Sequence, residues 1–534
     1  MRAGPRRITA GARKPKAWGK MARVSWRLGL GCVVAFGVMY GLVHAGLRVL
    51  VSSNIGIDDV KSNVYAQTLE LGYVAKQPPL YEWLLWTVQG FTGPTLPSFL
   101  ILKYGLLTAT FAFLYLVARR IFADPKWAML AALSPLLLYQ IGWNVHEGVT
   151  QTIALVCAVA ATTWFFMRLA ERGSFGNYAM FGVAAGLGLL TKYNFVAFLV
   201  VLIASALLQP TLRARLFDWR ILVSVALAGA VTAPVAYWLI TERHDLFALY
   251  QDSITPMAET HWFTARVIGL TRALWVPFAF LFPLDLIVPV VFPATVWIAW
   301  AAIKHAADPN TWDGKEPDWR LVLLHMTIGG FIVLMLGALL TGATHYLERY
   351  MHPLFLLTPL WLVGLVEQTS NAPRKLTILA TVLAVATLLV LPLRAGDLLR
   401  NMALECRKCR IVVPYEPLVE ALQARGFHSG TIIAANREEA GNLRRFFPDA
   451  RIVRIERPRY VPPPRSSDHP AKLAVVWREG RENRLSKPDR DELTRIIRSL
   501  DAKPEQVFAS LPQPPQAAKR VWKWGFIVTD SARD

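Results

Sequence analysis

Long apolar segments separated by short polar loops occupy most of this chain of 534 residues. A helix needs about 20 predominantly apolar residues to cross a bilayer. Eleven such segments can be placed, near 28–51, 97–118, 127–143, 149–169, 177–191, 194–209, 219–241, 281–303, 320–342, 353–367 and 375–393. Only 18% of the residues are charged, whereas soluble domains have about a quarter. We therefore predict a polytopic α-helical membrane protein. A soluble enzyme, a disulfide-stabilised miniprotein and a disordered chain are excluded.

The basic residues alternate with these segments. The tail 1–27 holds nine Lys and Arg, and no acidic residue precedes Asp58. Every second loop is also basic, with Arg119, Arg120 and Lys126; Arg168 and Arg172; Arg213, Arg215 and Arg220; Lys304, Lys315 and Arg320; Arg374 and Lys375. Basic loops favour the cytoplasmic side, and no signal-cleavage pattern is evident. We expect a multi-pass protein of the bacterial inner membrane with a cytoplasmic N-terminus and, given eleven spans, a periplasmic C-terminus.

Residues 394–534 differ in composition from the apolar part, because they are charged and rich in proline. Apolar segments at 431–435, 450–455, 472–477 and 525–529 predict strands, and 417–425, 438–446 and 489–500 predict helices. The stretch 457–470 is typical of a linker. The predicted domains are therefore the basic tail 1–27, a transmembrane domain 28–393 whose first outer loop is 52–96, and a periplasmic α/β domain 394–534.

Cys406 and Cys409 form a Cys-x-x-Cys pair in the C-terminal part. A redox motif would need a βαβ context, and a zinc site would need two more ligands. We favour a short disulfide, which suits an oxidising compartment. The other cysteines, Cys32 and Cys157, lie within apolar segments and are interpreted as packing residues.

The formal net charge of +21 is by itself typical of nucleic-acid binding. Part of it sets topology, and residues 394–534 keep 27 Lys and Arg against 18 Asp and Glu, which would suit anionic lipid or an acidic glycan. No glycine-rich phosphate loop or Walker lysine is present. We therefore expect no nucleic-acid partner. Any sugar donor should be a polyprenyl-phosphate sugar rather than a nucleotide sugar.

The first outer loop carries two adjacent acids, Asp58 and Asp59, shortly after the first span. Either could cap a helix at 59–70. Alternatively, a carboxylate shielded at the membrane surface could deprotonate an acceptor hydroxyl. Which of the two would be the base stays open.

Further polar residues lie on the same predicted side, near the ends of apolar segments. Lysine and arginine there would suit a lipid-linked phosphate. Snorkelling, turn formation and local ion pairing are the alternatives. The candidate substrate-binding residues are Lys76, Gln77, Tyr81, His146, Lys192, Tyr193, His345, Tyr346 and Arg349, and Glu147 is a further candidate acid. The acidic loop 241–262 is a candidate lid.

Four motifs together resemble family 39 glycosyltransferases of the GT-C superfold. They are the acidic pair, a lysine-bearing Pro-Pro-Leu-x-x-Trp segment, Gly-Leu-Leu-Thr-Lys-Tyr and Glu-Arg-Tyr-x-x-Pro, and the resemblance covers roughly residues 25–395. This family includes protein O-mannosyltransferases, lipid A aminoarabinose transferases and galacturonosyltransferases of rhizobial lipopolysaccharide. The order of the motifs and their common side of the membrane make the resemblance specific.

The resemblance implies a role for each matched residue. Asp58 matches the catalytic aspartate of the first loop, Asp59 stands where a second acid is usual, and Glu147 matches an acid of the second loop. The lysine before the prolines, Lys192 and Arg349 would hold the donor phosphate. The family implies direct displacement with inversion and stabilisation of the leaving polyprenyl phosphate by basic groups. The aminoarabinose transferases read Glu-Lys-Pro-Pro, whereas this chain has Lys76 one residue further from the prolines.

The predicted function is an inverting glycosyltransferase that moves a sugar from a polyprenyl-phosphate donor to lipid A, lipopolysaccharide or another envelope lipid or glycan. A protein O-mannosyltransferase, a flippase for lipid-linked sugars and an envelope scaffold are the alternatives. A flippase would show repeats with charged, broken helices at mid-membrane, for which Asp285 is the one candidate residue. We expect a monomer. No cofactor is required by the sequence, although the acids could hold a divalent metal ion.

Overall fold

A computed structural model describes residues 20–56, 58–242, 261–306, 316–400, 411–463, 472–480, 485–500, 502–510 and 521–530 of the chain. The helices of its first part are α1 (Lys20–Val51), α2 (Asp59–Tyr65), α3 (Leu80–Thr92), α4 (Leu96–Ile121), α5 (Pro125–Leu133), α6 (Tyr139–Gly142), α7 (Gln151–Glu171), α8 (Phe175–Leu189), α9 (Phe195–Leu207), α10 (Pro210–Leu216), α11 (Ile221–Thr241), α12 (Trp262–Leu281), α13 (Leu284–Val291), α14 (Ala294–Ala306), α15 (Trp319–Thr341), α16 (His352–Phe355), α17 (Thr358–Glu367) and α18 (Ala372–Leu399).

Within the described ranges, seven helices are long and apolar enough to cross a membrane, and two bent pairs raise this number to nine at most. Three shorter apolar helices, Phe175–Leu189, Phe195–Leu207 and His352–Glu367, complete the bundle. The many apolar helices agree with the predicted polytopic membrane protein. One buried apolar core runs through the bundle from α1 to α18.

The segment 262–303 differs from the prediction of one helix over 281–303. The structure has an additional helix, α12, followed by α13 and α14, which are bent by 109° at their junction. Arg266 and Arg272 lower the hydropathy of α12, which explains why the apolar pattern misses it. α12 begins beside α15, where Arg266 Nε donates to the Leu339 carbonyl at 2.9 Å.

Loops of like composition assemble on two opposite faces. On the first face, Arg120 Nε lies 2.6 Å from Glu171 Oε1, Gln209 donates to the Asp318 carbonyl at 3.0 Å, and Arg320 pairs with Glu367. This is the basic face, formed by 119–126, 168–174, 209–220, 318–320 and 364–375. The opposite, site face is formed by 52–56, 58–95, 139–150, 190–195 and 342–352, which are joined by hydrogen bonds such as those of Tyr193 to Ala75 and of Gln140 to Glu348. The basic loops therefore share one side, as the alternation predicts.

The described residues between 411 and 530 form a five-stranded sheet on the site face. Its order is β2 (Arg451–Arg454), β1 (Gly430–Ala434), β3 (Lys472–Arg478), β5 (Val521–Asp530) and β4 (Glu505–Ser510). β1 pairs in parallel with β2 and β3, whereas β5 is antiparallel to both β3 and β4. The helices α19 (Glu416–Ala424), α20 (Arg437–Phe446) and α21 (Lys487–Ser499) accompany it. β4 is a strand that the sequence analysis did not predict.

Three predicted features fall partly or wholly outside the described residues. They are the basic tail up to residue 19, the candidate lid over 243–260, and the disulfide between Cys406 and Cys409. Of the cysteines within the described ranges, Cys32 is exposed and Cys157 is half-buried, and both are free.

Candidate functional site

The start of α2 places the acidic pair at the centre of the site face. Asp58 occupies the residue before the helix, yet its side chain makes no capping hydrogen bond. Capping is therefore not what its carboxylate does in this structure. The negative charge of Asp58 instead favours the charged form of two lysines and so opposes the decrease that burial causes in their pKa. These are Lys61, one turn along α2, and Lys192, in the turn between α8 and α9.

Lys192 belongs to a cationic group around Asp58. Its Nζ donates to Thr152 Oγ1 at 2.7 Å. Burial lowers the pKa of Lys192 to about 8, and the positive charge of Arg349 contributes to the decrease. Burial likewise lowers the pKa of Lys61. The charge of Asp58 thus acts on Lys61 and Lys192, and Arg349 adds a further positive charge near Lys192. Such a positive excess suits an anionic ligand such as a phosphate.

Asp59 has a different partner from Asp58 and is only 6% exposed. Its Oδ2 is 4.0 Å from Nζ of Lys103, a residue of α4. Burial raises the pKa of Asp59 to about 6, Asp58 adds to the rise, and Lys103 opposes it. Within the described part of the chain, Oδ1 of Asp59 has no hydrogen-bond partner. A carboxylate with these properties can exchange a proton near neutral pH.

Glu147 lies on the same side of the acidic pair as Lys103. Arg394 Nη1, near the end of α18, is 3.4 Å from Glu147 Oε1, and Arg394 Nη2 donates to the His146 carbonyl at 2.8 Å. Lys103 Nζ donates to the Glu147 carbonyl at 3.3 Å. The Glu147 side chain remains 35% exposed. Arg394 therefore holds the carboxylate of Glu147 and Lys103 holds its backbone, while solvent can still reach the side chain.

His146 lies deeper than its neighbour Glu147. Its Nε2 is 2.7 Å from the Tyr40 hydroxyl and its Nδ1 is 2.9 Å from the Tyr104 hydroxyl. The imidazole also stacks on that of His44, with ring centroids 3.9 Å apart. Both ring nitrogens are thus engaged within the protein. The predicted substrate-binding role of His146 stays a prediction.

A second buried acid lies on α3. Glu82 accepts a hydrogen bond from Ser62 Oγ at 3.1 Å and another from Gln151 Nε2 at 2.7 Å. Gln151 Nε2 is also 3.3 Å from Oε1 of Gln77. Burial raises the pKa of Glu82 to about 7. The hydroxyl of Tyr81 is also buried. Burial, together with the negative charges of the acidic pair and Glu82, raises the pKa of Tyr81 well above its usual value. The sequence analysis did not single out Glu82.

The remaining predicted residues lie around the rim. Lys76 is exposed, and the Tyr193 hydroxyl donates to the Ala75 carbonyl at 2.7 Å. The Tyr346 hydroxyl donates to the Leu334 carbonyl at 2.9 Å. His345 meets the ring of Tyr350 edge-on.

Lys103 and Arg394 are two further charged residues that sequence reasoning missed, besides Glu82 and Lys61. Both lie inside or at the end of apolar segments, where an ionisable residue is costly unless it has a partner. Because of this cost, a charged residue in an apolar segment can be recognised from the sequence as one that needs a partner. The sequence does not indicate that Asp59 and Glu147 are those partners.

No group of three or more His, Cys, Asp or Glu side chains that could hold a metal ion occurs among the described residues. The site instead has two places where a carboxylate lies near basic residues: Asp58 near Lys61 and Lys192, and Asp59 near Lys103. It can hold an anion, accept a proton and stabilise a departing negative charge.

Comparisons with known proteins agree with this geometry. Residues 76–238 match the family described as dolichyl-phosphate-mannose-protein mannosyltransferase. The chain is 25% identical over 458 residues to the lipopolysaccharide core galacturonosyltransferase RgtB of Rhizobium johnstonii, covering 85% of this chain and 87% of that one. It is also 25% identical over 445 residues to RgtA, the lipopolysaccharide core galacturonosyltransferase of the same organism, covering 82% and 85%.

A solved structure supports the fold. ArnT from Cupriavidus metallidurans bound to undecaprenyl phosphate superposes with a TM-score of 0.52 at 14% identity, covering 92% of this chain and 97% of that chain. At this identity the likeness concerns the fold alone. The predicted resemblance is thereby confirmed: this chain is similar to GT-C glycosyltransferases, among them the lipopolysaccharide galacturonosyltransferases, over most of its length.

Proposed function

We propose that this protein is an inverting glycosyltransferase that moves a sugar from a polyprenyl-phosphate donor to lipid A, lipopolysaccharide or a related envelope glycan. The observation that carries the proposal is that the charges of Asp58 and Arg349 both act on the buried Lys192, although the three residues come from three separate loops of the site face. The loops of Lys192 and Arg349 are in contact, because Asn194 Nδ2 donates to the Tyr350 carbonyl at 3.3 Å. An acid beside two cations is what the displacement of a phosphate leaving group requires. The named activities of RgtA and RgtB suggest a uronic acid as the sugar.

The proposed reaction is a single displacement. Asp58 or Asp59 accepts the proton of an acceptor hydroxyl, whose oxygen forms the new bond to the anomeric carbon of the donor. The bond between that carbon and the phosphate oxygen breaks, and the electron pair leaves with the polyprenyl phosphate. Lys192 and Arg349 would stabilise the phosphate, and Glu147 would orient the acceptor or the sugar.

We further propose that the site face is the periplasmic one and that the protein acts as a monomer in the bacterial inner membrane. The basic loops support this orientation, because they share the opposite face. The undecaprenyl phosphate in the ArnT structure supports a lipid-linked donor.

The test is a transfer assay with the full chain in lipid nanodiscs. Undecaprenyl-phosphate-linked galacturonic acid and undecaprenyl-phosphate-linked aminoarabinose serve as alternative donors, and lipopolysaccharide from a deletion strain serves as acceptor. Mass spectrometry should show a single added sugar with the wild type, and neither Asp58→Asn nor Lys192→Met should produce it at a comparable rate. Transfer to a protein acceptor alone, or no transfer with any lipid-linked donor, would overturn the proposal.

A further inference from the structure

The sheet-bearing C-terminal part contacts the first outer loop at several points, and helix α20 makes the contacts to the middle of α2. Arg444 Nη1 donates to the Asn63 carbonyl and to Gln89 Oε1, the latter at 2.8 Å, and its Nη2 donates to the Ala66 carbonyl at 3.0 Å. Asn63 Nδ2 returns a hydrogen bond to the Gly441 carbonyl at 2.8 Å. Arg444 is buried, so these contacts are shielded from water and their loss would leave polar groups unpaired.

Two further contacts flank α2. Before it, Asn442 exchanges hydrogen bonds with both backbone groups of Ile55, at 2.9 and 3.1 Å. After it, Gln67 does the same with the backbone of Ile452 on the edge strand β2, at 2.9 and 3.0 Å. The segment that carries the acidic pair is thus bound at its beginning, middle and end by residues nearly 400 positions away.

The two helices also approach each other closely beside the acidic pair. A Cβ atom on Gly441 would lie 2.6 Å from Cα of Val60, the residue that follows Asp59. Such a distance cannot be accommodated without a shift of α2 or α20, because the obstructing atoms include backbone. Glycine at 441 therefore permits the two helices to touch at the point where α2 presents its carboxylates.

α2 has only seven residues, and an isolated helix of that length is not stable in water. Its position therefore has to come from packing. Lys103 and the core of the bundle contact one side of it, and α20 contacts another. Because an error of about 1 Å in the position of a catalytic group can cost about a hundredfold in rate, the contact with α20 bears directly on the site.

We infer that the C-terminal part is a positioning element for catalysis, in which Gly441 and Arg444 of α20 fix the position of α2 and hence of the Asp58–Asp59 pair. These are positioning residues, since the contacts described above join them to α2 and its neighbours. The inference rests on the proposed function, because its effect is on the transfer reaction.

The test compares Gly441→Ala with Gly90→Ala in nanodiscs. Gly90 lies in α3, is exposed, and has open space where a Cβ would be, so it controls for the change of a helical glycine. Gly441→Ala should lower kcat about tenfold or more. The KM for the donor should stay within about twofold, because Lys192 and Arg349, the two residues proposed to hold the donor phosphate, lie outside α2. Gly90→Ala should leave both constants unchanged.

Arg444→Gln provides an independent variant, and it should shift kcat in the same direction as Gly441→Ala. Thermal unfolding and membrane abundance of each variant are measured alongside. A Gly441→Ala variant that is folded and has wild-type kcat would overturn the inference, as would a loss confined to the KM of the donor. Absence of transfer by the wild type would instead overturn the proposed function.

Discussion

Nζ of Lys103 lies 4.0 Å from Oδ2 of Asp59, and the two side chains are only 2% and 8% exposed. The pair joins α4, a helix long and apolar enough to cross a membrane, to α2, the short helix that bears the acids. Charges at such a separation interact strongly where water is excluded. The protonation state of Asp59 therefore depends on Lys103, and this dependence can be measured.

Replacing Lys103 by methionine should raise the pKa of Asp59 above its value of about 6, because the variant loses the cation that opposes the effect of burial. A general base acts in its ionised form, so activity rises as the pH passes its pKa. The rising limb of the pH profile of kcat/KM should therefore move to higher pH in Lys103→Met. Lys126→Met, on the basic face, is the matched control. An unmoved limb would show that Asp59 is not the titrating base and would favour Asp58.

Lys192 should make donor binding sensitive to alkaline pH. Its pKa is lowered to about 8 by burial and by Arg349, so the ammonium loses its charge as the pH rises through that value. The KM for the lipid-linked donor should then increase above pH 8. In Lys192→Arg the increase should disappear, because the guanidinium stays charged. The same increase in both proteins would exclude Lys192 as the phosphate-binding group.

The sequence predicts the parts of the site that lie in loops. Asp58, Lys192 and Arg349 stand out because polar residues at the ends of apolar segments are few, and the alternation of basic loops places them on one side. Strands β1, β2, β3 and β5 overlap the segments predicted from their apolar pattern. In each case the prediction depends only on the types of residue within a short stretch of sequence.

What the sequence could not predict depends on contacts between distant segments. Arg394 meets Glu147 across 247 positions, and Gly441 meets Val60 across a still larger separation in the sequence. α12 was not predicted because Arg266 and Arg272 lower the hydropathy of its segment. In the structure, each of these arginines donates a hydrogen bond to a backbone carbonyl of a neighbouring segment. Such partners are set by helix packing, which a pattern of residue types does not specify.

Arg394 should stabilise the fold as well as hold Glu147. Its guanidinium is buried and serves both the Glu147 carboxylate and the His146 carbonyl. Arg394→Met should cost about 1–3 kcal/mol, because it leaves a buried acceptor unpaired. The cost of Glu147→Gln should be smaller, since that side chain is partly exposed. Thermal unfolding of both single variants and the double variant measures the coupling, and strictly additive effects would show that the pair does not interact.

Glu82 should make stability fall with rising pH. Burial raises its pKa from an ordinary 4.5 to about 7, so between these values the folded protein binds more protons than the unfolded chain. By linkage, folding is weakened as the pH rises through this interval, by up to about 3 kcal/mol. Glu82→Gln keeps an acceptor for Ser62 and Gln151 but cannot ionise. The unfolding midpoint of the wild type minus that of the variant should therefore decrease from pH 5 to pH 8. Glu420→Gln, at an exposed position of α19, should show no such trend. A difference that is equal at both pH values would mean that the Glu82 carboxyl does not ionise in this range.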